Sequence, residues 1–279
     1  KMRIMVTGAN GYIGRHVVKT LLSLGISVVA RDKEITHIDS RAERYAIDIY
    51  NENVDIYSLT NKPDILIHMA WSDGYNHQAI SHLQNMEKHF LFCERMSAAG
   101  IKKIICMGTV HEIGYHVGIV TEKTPCEPKC LYGVAKNALR QALFSKLLSK
   151  TCIIWIRVFS VYGDDLYSNS VFSKILSSDK CGEEFFKLNS GYNRGDYIQV
   201  ERLAEQIAAT AIYEDSSGIY HCCTGQPITL REMVDSFIAE NHLTIKAQYG
   251  AFPERLYDSP EIYGDNTKIK KIMKDNGLW

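Results

Sequence analysis

Glycines at positions 8, 11 and 14, set directly behind a short apolar run, constrain this chain more than any other feature. Ile4, Met5 and Val6 are consecutive apolar residues, the pattern of a strand buried on both faces. Beyond the glycines, Ile13, Val17, Leu21 and Leu24 recur at three- and four-residue steps, which lays an apolar stripe along one side of a helix. Gly25 closes that helix. A plain strand-to-helix connection does not need three glycines at this spacing. They permit a tight turn and let backbone amides at the positive end of the helix approach a bound pyrophosphate.

The same alternation continues downstream. Residues 26–30, 64–69, 103–107 and 152–158 read as strands, and 79–99 and 132–149 as helices. This predicts an α/β fold, a doubly wound parallel sheet. After Tyr162-Gly163 the pattern loosens. Residues 164–195 are mixed and polar, with Phe172, Ile175 and Leu176 on a short helix. Residues 201–213 read as helix, 218–223 as strand and 229–239 as a helix capped by Thr229. The stretch 249–263, rich in aromatics and proline, reads as loops. The expected organisation is a dinucleotide-binding domain over 1–163 and a smaller C-terminal substrate lobe over 164–279, with 196–225 returning to the first domain. The cleft then lies at the carboxyl ends of the strands.

Composition narrows the function classes. Of 279 residues, 46% are hydrophobic and 23% charged, and 32 basic residues balance 32 acidic ones. Such neutrality leaves no electrostatic footprint for nucleic acid or an anionic membrane. No apolar run reaches membrane-span length, and no signal-peptide pattern precedes the first strand. The eight cysteines form no Cys-x-x-Cys pair, so reduced thiols in a cytoplasmic protein are expected. His77, His82 and His89 share no ligand spacing with a carboxylate, and no metal is expected.

The chemistry gathers around Tyr132 and Lys136. Positions i and i+4 share a helix face, so the ammonium is expected beside the phenol, lowering its pKa. A tyrosine tuned in this way exchanges a proton with a hydroxyl or carbonyl. Thr109, at the end of the preceding strand, adds a hydroxyl to the same oxygen.

Taken together, these motifs resemble the extended short-chain dehydrogenase/reductases, in their NAD-dependent epimerase/dehydratase group, and the resemblance spans nearly the whole chain. Thr7-Gly8-Ala9-Asn10-Gly11-Tyr12-Ile13-Gly14 resembles the group's cofactor loop, and His68-Met69-Ala70 its His-Leu-Ala strand end. Asn85 matches an asparagine of the fourth helix, and Thr109, Tyr132 and Lys136 match the catalytic set. The stretch from Arg157 to Gly163 and Arg194-Gly195-Asp196-Tyr197-Ile198 resemble two later motifs, the second with Gly195 intruding. The resemblance implies a Rossmann fold and NAD or NADP held by Gly8, Asn10, Gly11, Tyr12, Ile13, Gly14, Met69, Ala70 and Lys136. Asp48 and Ile49 are expected at the adenine. Asp32 suits the adenine-ribose hydroxyls of NAD, while Arg31 suits the 2′-phosphate of NADP. Both cofactors are expected to work, with a modest preference for NADPH. A nucleotide-diphosphate sugar is the implied substrate, with His111, Ser160, Arg194 and Arg255 as its contacts.

Several reactions share this scaffold. In 4,6-dehydratases the catalytic threonine is followed by Asp and Glu, whereas Val110 and His111 follow Thr109, so that chemistry is disfavoured. An epimerase-reductase needs a second acid–base partner for His111, and residues 164–169 supply no histidine. A C4 epimerase with bound NAD and a 4-ketoreductase need only Thr109, Tyr132 and Lys136. The stretches 225–232 and 257–268 resemble reductases that make 6-deoxyhexoses, which favours reduction of a dTDP-linked 4-keto-6-deoxyhexose. A non-enzymatic cofactor sensor is disfavoured because the Tyr–Lys pair is retained. A homodimer is expected through the helices at 79–99 and 132–149, whose Leu91, Phe92, Leu139, Leu143 and Phe144 exceed what one sheet face requires.

Overall fold

The computed structural model describes residues 2–163, 165–254 and 258–279; Arg255, expected to contact the diphosphate, lies outside the described residues. Strand β1 (Arg3–Thr7) leads through the glycine loop into α1 (Tyr12–Ser23), followed by β2 (Ser27–Asp32) and β3 (Glu43–Ala46). Next come α2 (Ile56–Leu59), β4 (Ile65–His68), α3 (Ser81–Ala99) and β5 (Lys103–Thr109). The short β6 (Gly118–Val120), α4 (Leu131–Leu147), β7 (Cys152–Val158) and β8 (Ser160–Tyr162) continue the chain. Then follow α5 (Val171–Lys180), β9 (Phe185–Lys187), β10 (Arg194–Gln199), α6 (Val200–Tyr213) and β11 (Gly218–Cys222). The last elements are β12 (Pro227–Thr229), α7 (Leu230–Glu240), β13 (Lys246–Gln248), β14 (Glu261–Gly264) and α8 (Thr267–Asp275).

Seven strands form one sheet in the order β11-β7-β5-β4-β1-β2-β3, and each neighbouring pair is parallel. The chain therefore winds outward from β1 in one direction and from β4 in the other. The reversal lies between β1 and β4, the place where open parallel sheets take their ligands, in a crevice beyond the strand ends. Side chains alternate across the sheet with the two-residue strand period. Along β5, Ile105 and Met107 join Val17, Leu21, Leu203 and Ile207 on the face covered by α1 and α6. Ile104 and Cys106 join Phe92, Met96, Leu139 and Leu143 on the face covered by α3 and α4. Each aliphatic side chain buried in this way stabilises the fold by about 1.5–3 kcal/mol.

A smaller sheet runs β12-β10-β14-β6, with β8 also paired to β10. One buried carboxylate ties it together. Asp196 Oδ1 accepts from the Thr224 amide at 2.9 Å and its hydroxyl at 2.7 Å, and Oδ2 accepts from the Gly225 amide at 2.8 Å and the Gly264 amide at 3.2 Å. Helices α5 and α7 and the loop strands enclose a separate apolar cluster containing Phe172, Ile175, Val234 and Phe237.

Three expectations are corrected here. The stretch 249–263 is not loop alone, because β14 lies between β10 and β6. Its pairing partners, Arg194 to Glu261 and Ile262 to Gly118, are too distant in sequence for a local pattern to reveal. Strand β5 runs two residues past 107, carried by the pairing of Gly108 and Thr109 with Arg157 and Val158 on β7. The surplus of apolar residues on α3 and α4 is smaller than expected, because Phe92, Leu139 and Leu143 are all buried within the chain's own core.

Candidate active site

The glycine loop closes on itself and on β4. Gly8 has φ +68, and a Cβ there would lie 2.7 Å from the Ala70 amide nitrogen; a Cβ on Gly14 would lie 2.0 Å from the Gly8 carbonyl oxygen. Only glycine allows this approach of loop, helix and strand end. Helix α1 begins with Gly11 as N-cap and no side-chain capping bond among the described residues, so its first turn presents amide groups to the crevice. The Tyr12 hydroxyl reaches out of the loop to donate to the Gly163 carbonyl.

Strand β5 and helix α4 bring together the three residues expected from sequence to transfer protons. Thr109 ends β5 and caps a 3₁₀ turn, Val110–Glu112. Helix α4 is capped by Cys130, whose Sγ accepts from the Gly133 amide at 3.4 Å, and the Tyr132 amide donates to the His77 carbonyl at 3.0 Å. These contacts fix the first turn of α4 and bring Tyr132 close enough to Thr109 for its hydroxyl to act on the phenol. Lys136 follows one turn later but does not point at the phenol. Its Nζ donates to the Met107 carbonyl at 2.7 Å and sits 3.9 Å above the Trp71 ring. It lies 5.8 Å from the centre of the Tyr132 ring.

The expected lowering of the Tyr132 pKa is therefore corrected. Burial raises it well above the usual phenol range, the Glu112 carboxylate adds to the rise, and the nearby Thr109 hydroxyl only partly opposes them. Lys136 itself is pushed down to about 8, chiefly by burial. Desolvation outweighs the ammonium because that charge is committed to a carbonyl and an indole face.

Glu112 was not among the residues singled out from sequence, yet it organises the site. Its Oε1 accepts from the Thr109 amide at 2.7 Å and from Trp155 Nε1 at 3.0 Å. Its Oε2 pairs with Arg157 Nη2 at 3.1 Å, both side chains being fully buried. Arg157 Nη1 in turn lies 3.2 Å from His221 Nε2. The signal was present as Thr109-x-x-Glu112, a capping-box spacing.

Comparison with known proteins gives this arrangement a family. The sequence profile of the NAD dependent epimerase/dehydratase family matches residues 4–222. The chain belongs to that family. It is 43% identical over 272 residues to a dTDP-6-deoxy-L-talose 4-dehydrogenase (NAD(+)) of Aggregatibacter actinomycetemcomitans, covering 94% of this chain and 99% of that one. It is 26% identical over 314 residues to a UDP-glucose 4-epimerase of Bacillus subtilis (strain 168), covering 98% and 91%. The solved UDP-glucose 4-epimerase of Thermotoga maritima shares the fold at a TM-score of 0.82 with 22% identity, covering 97% and 92%. As a member of the NAD dependent epimerase/dehydratase family, the chain is an oxidoreductase working with a nicotinamide dinucleotide.

The loop geometry fits that cofactor, since glycine at 8 and 14 lets loop, helix and strand end pack closely enough for backbone amides at the start of α1 to approach a pyrophosphate. At the end of β2, Asp32 Oδ2 accepts from the Asn10 amide at 3.0 Å, while Asn10 Oδ1 accepts from the His37 amide at 2.7 Å. The NADPH preference loses its basis. Arg31 is only 2% exposed and its Nε and Nη2 have no hydrogen-bond partner among the described residues. Burial lowers its pKa to about 10, against the opposing pull of Asp48 and Asp32. A guanidinium enclosed beneath the surface does not present itself to a 2′-phosphate. Asp48 is exposed and turns the chain by accepting from the Tyr50 amide at 3.0 Å, and Ile49 is buried. We expect NADH to be preferred. Asp32→Ala should raise the Michaelis constant for NADH about tenfold, the loss of one charged hydrogen bond, and leave that for NADPH less affected. Steady-state titration of both cofactors checks this, and an equal effect on both would place Asp32 outside the ribose site.

A buried polar chain supports the crevice from below, and sequence reasoning missed it. Thr7 Oγ1 accepts from the Met69 and Ala70 amides at 3.2 and 3.3 Å and lies 2.8 Å from His68 Nδ1. His68 Nε2 lies 2.9 Å from His89 Nδ1, and His89 Nε2 lies 3.0 Å from the Tyr50 hydroxyl. Trp71 stacks on His89 at 4.4 Å, so the chain also carries the indole beneath Lys136. Burial lowers the His68 pKa to about 3 and that of His221 to about 4, and holds His89 far down. These folded values lie below the unfolded value near 6.5, so the folded state binds fewer protons. Their contribution to stability is complete above about pH 6.5 and is lost as pH falls toward 4 and 3, by about 1.4 kcal/mol per pH unit for each group. Calorimetric melting points should drop steadily below pH 6.5; a constant melting point from pH 7.5 to 5 would contradict neutral buried imidazoles.

The expected substrate contacts are placed unevenly. His111 is exposed at the cleft mouth, 4.2 Å from His77 and 5.9 Å from Tyr132 between ring centres. The groups crowded round its ring and the neighbouring His77 hold its pKa down at about 4. Ser160 is exposed at the start of β8. Arg194 is already engaged, its Nη1 2.6 Å from Glu261 and its Nη2 donating to the Pro227 carbonyl at 3.0 Å. A diphosphate at Arg194 must share that guanidinium with Glu261. Among the described residues, no helix is long and apolar enough to cross a membrane.

Proposed function

We propose that the chain interconverts the C4 hydroxyl and C4 ketone of a dTDP-linked 6-deoxyhexose, working mainly as a reductase of the 4-keto sugar. The observation that carries this reading is the likeness, along nearly the full length of both chains, to an enzyme named for C4 dehydrogenation of dTDP-6-deoxy-L-talose. The chemistry that a bound nicotinamide contributes is hydride exchange at C4. Tyr132 supplies the proton at the C4 oxygen, and its raised pKa keeps it protonated, the state in which a donor to a ketone must start. The Thr109 hydroxyl is the second donor toward the same oxygen, and Glu112 holds the Thr109 backbone in place. Elimination of water is disfavoured because Val110 cannot move protons and the nearest carboxylate, Glu112, is sealed against Arg157. A homodimer through the exposed sides of α3 and α4 also belongs to this proposal, and light scattering at micromolar concentration tests it.

The reaction test supplies dTDP-4-keto-6-deoxyglucose with NADH and with NADPH, follows absorbance loss and identifies the sugar formed. Cofactor consumption with reduction at C4 is expected. No consumption, together with cofactor-neutral interconversion of UDP-glucose and UDP-galactose, would overturn the reading in favour of an epimerase.

A further inference from the structure

Three side chains from separate parts of the chain meet at the cleft mouth. His77 comes from the loop after β4, His111 from the 3₁₀ turn after β5, and Cys130 from the N-cap of α4. One donor atom from each lies within 4.8 Å of the other two. The backbone around them is fixed, with the Tyr132 amide bonded to the His77 carbonyl at 3.0 Å and the Leu131 amide to Gln78 Oε1 at 3.3 Å. The donor set is two imidazole nitrogens and one thiolate, which suits a borderline-soft divalent ion and not magnesium or calcium. Zinc bonds of about 2.0–2.3 Å place tetrahedral donors nearer together than 4.8 Å, and side-chain rotation of His77 and His111 provides the approach.

We propose that His77, His111 and Cys130 form a zinc-binding site, and that zinc held there blocks the approach of substrate to Tyr132. The His77 ring is stacked on the Tyr132 ring, with centroids 5.4 Å apart and planes 12° apart, so an ion on this cluster lies beside Tyr132. Binding converts the Cys130 thiol to a thiolate, forms a zinc–sulfur bond and releases one proton to solvent, with no change of oxidation state. Three protein donors leave a fourth position for water, so the ion is exchangeable and the effect reversible. The blocking role rests on the assignment of Tyr132 as proton donor; the binding itself does not.

The test therefore reads metal and turnover separately. Cobalt(II), added alone as a spectroscopic probe, should produce a thiolate charge-transfer band and tetrahedral visible bands at one equivalent, and zinc should displace it. Cys130→Ser keeps a hydroxyl able to cap α4, and its zinc inhibition is read as a fraction of its own metal-free turnover. It should lose the charge-transfer band and need at least tenfold more zinc for half-inhibition. Chelator should restore wild-type activity. His77→Asn should likewise weaken cobalt binding. Absence of a thiolate band, or the same band in Cys130→Ser, overturns the site. A band that depends on Cys130 but zinc inhibition that does not overturns the blocking role.

Discussion

Tyr132→Phe is expected to lower kcat by about 10²–10⁴ while leaving the fold and cofactor affinity close to those of the wild type. The substitution removes one oxygen. The ring itself is held by stacking on His77 and by edge contact with Trp71 at 6.2 Å, and phenylalanine keeps both contacts. The lost group is the one that lies by Thr109 and has its proton retained by burial. Single-turnover rates, a cofactor titration and circular dichroism separate the three quantities. Turnover within tenfold of wild type would remove Tyr132 from the chemistry.

Glu112→Ala is the substitution with the largest expected cost in stability, about 3–5 kcal/mol. It leaves Arg157, which is fully buried, without its counter-ion, and leaves Trp155 Nε1 and the Thr109 amide without their acceptor. Domain stabilities are commonly about 5–15 kcal/mol, so the variant loses a large part of its margin. Glu112→Gln keeps an acceptor oxygen for the Thr109 amide but not the charge. It should cost less stability than alanine and lower kcat more than it changes KM, because it disturbs the positioning of Thr109 and not the sugar contacts. Urea unfolding and steady-state kinetics on the two variants check both halves. A loss below about 1 kcal/mol for Glu112→Ala would mean that Arg157 finds another partner.

What could be read from sequence was whatever repeats locally. The apolar runs of β1, β4, β5 and β7 and the helical stripe of α1 are short-range patterns, and each falls within about two residues of its reading. Tyr132 and Lys136 were recognisable because four-residue spacing and chain order are also local. The direction of the Lys136 ammonium was not, because Met107 and Trp71, which hold it, come from elsewhere in the fold. The burial of Arg31 escaped for a similar reason. It lies on β2 between β1 and β3, and a charged residue next to an aspartate looks like surface until its neighbours are known. Glu112 could have been found, since its capping-box spacing is local. The cluster of His77, His111 and Cys130 could not, as its members have no common spacing.

The pairing of β14 with β6 bears on the order in which the molecule is assembled. Gly118 meets Ile262 and Val120 meets Gly264, so an early strand waits for one made far downstream. The carboxylate of Asp196 also needs the Gly264 amide to complete its set of donors. The large sheet lacks only β11 once β7 has emerged from the ribosome, whereas the small sheet remains open until residues near 264 are free. Long-range closures of this kind slow folding. During synthesis the nascent chain therefore carries most of the large sheet before the small sheet can form, and a chain cut short before Gly264 has a small sheet that cannot close.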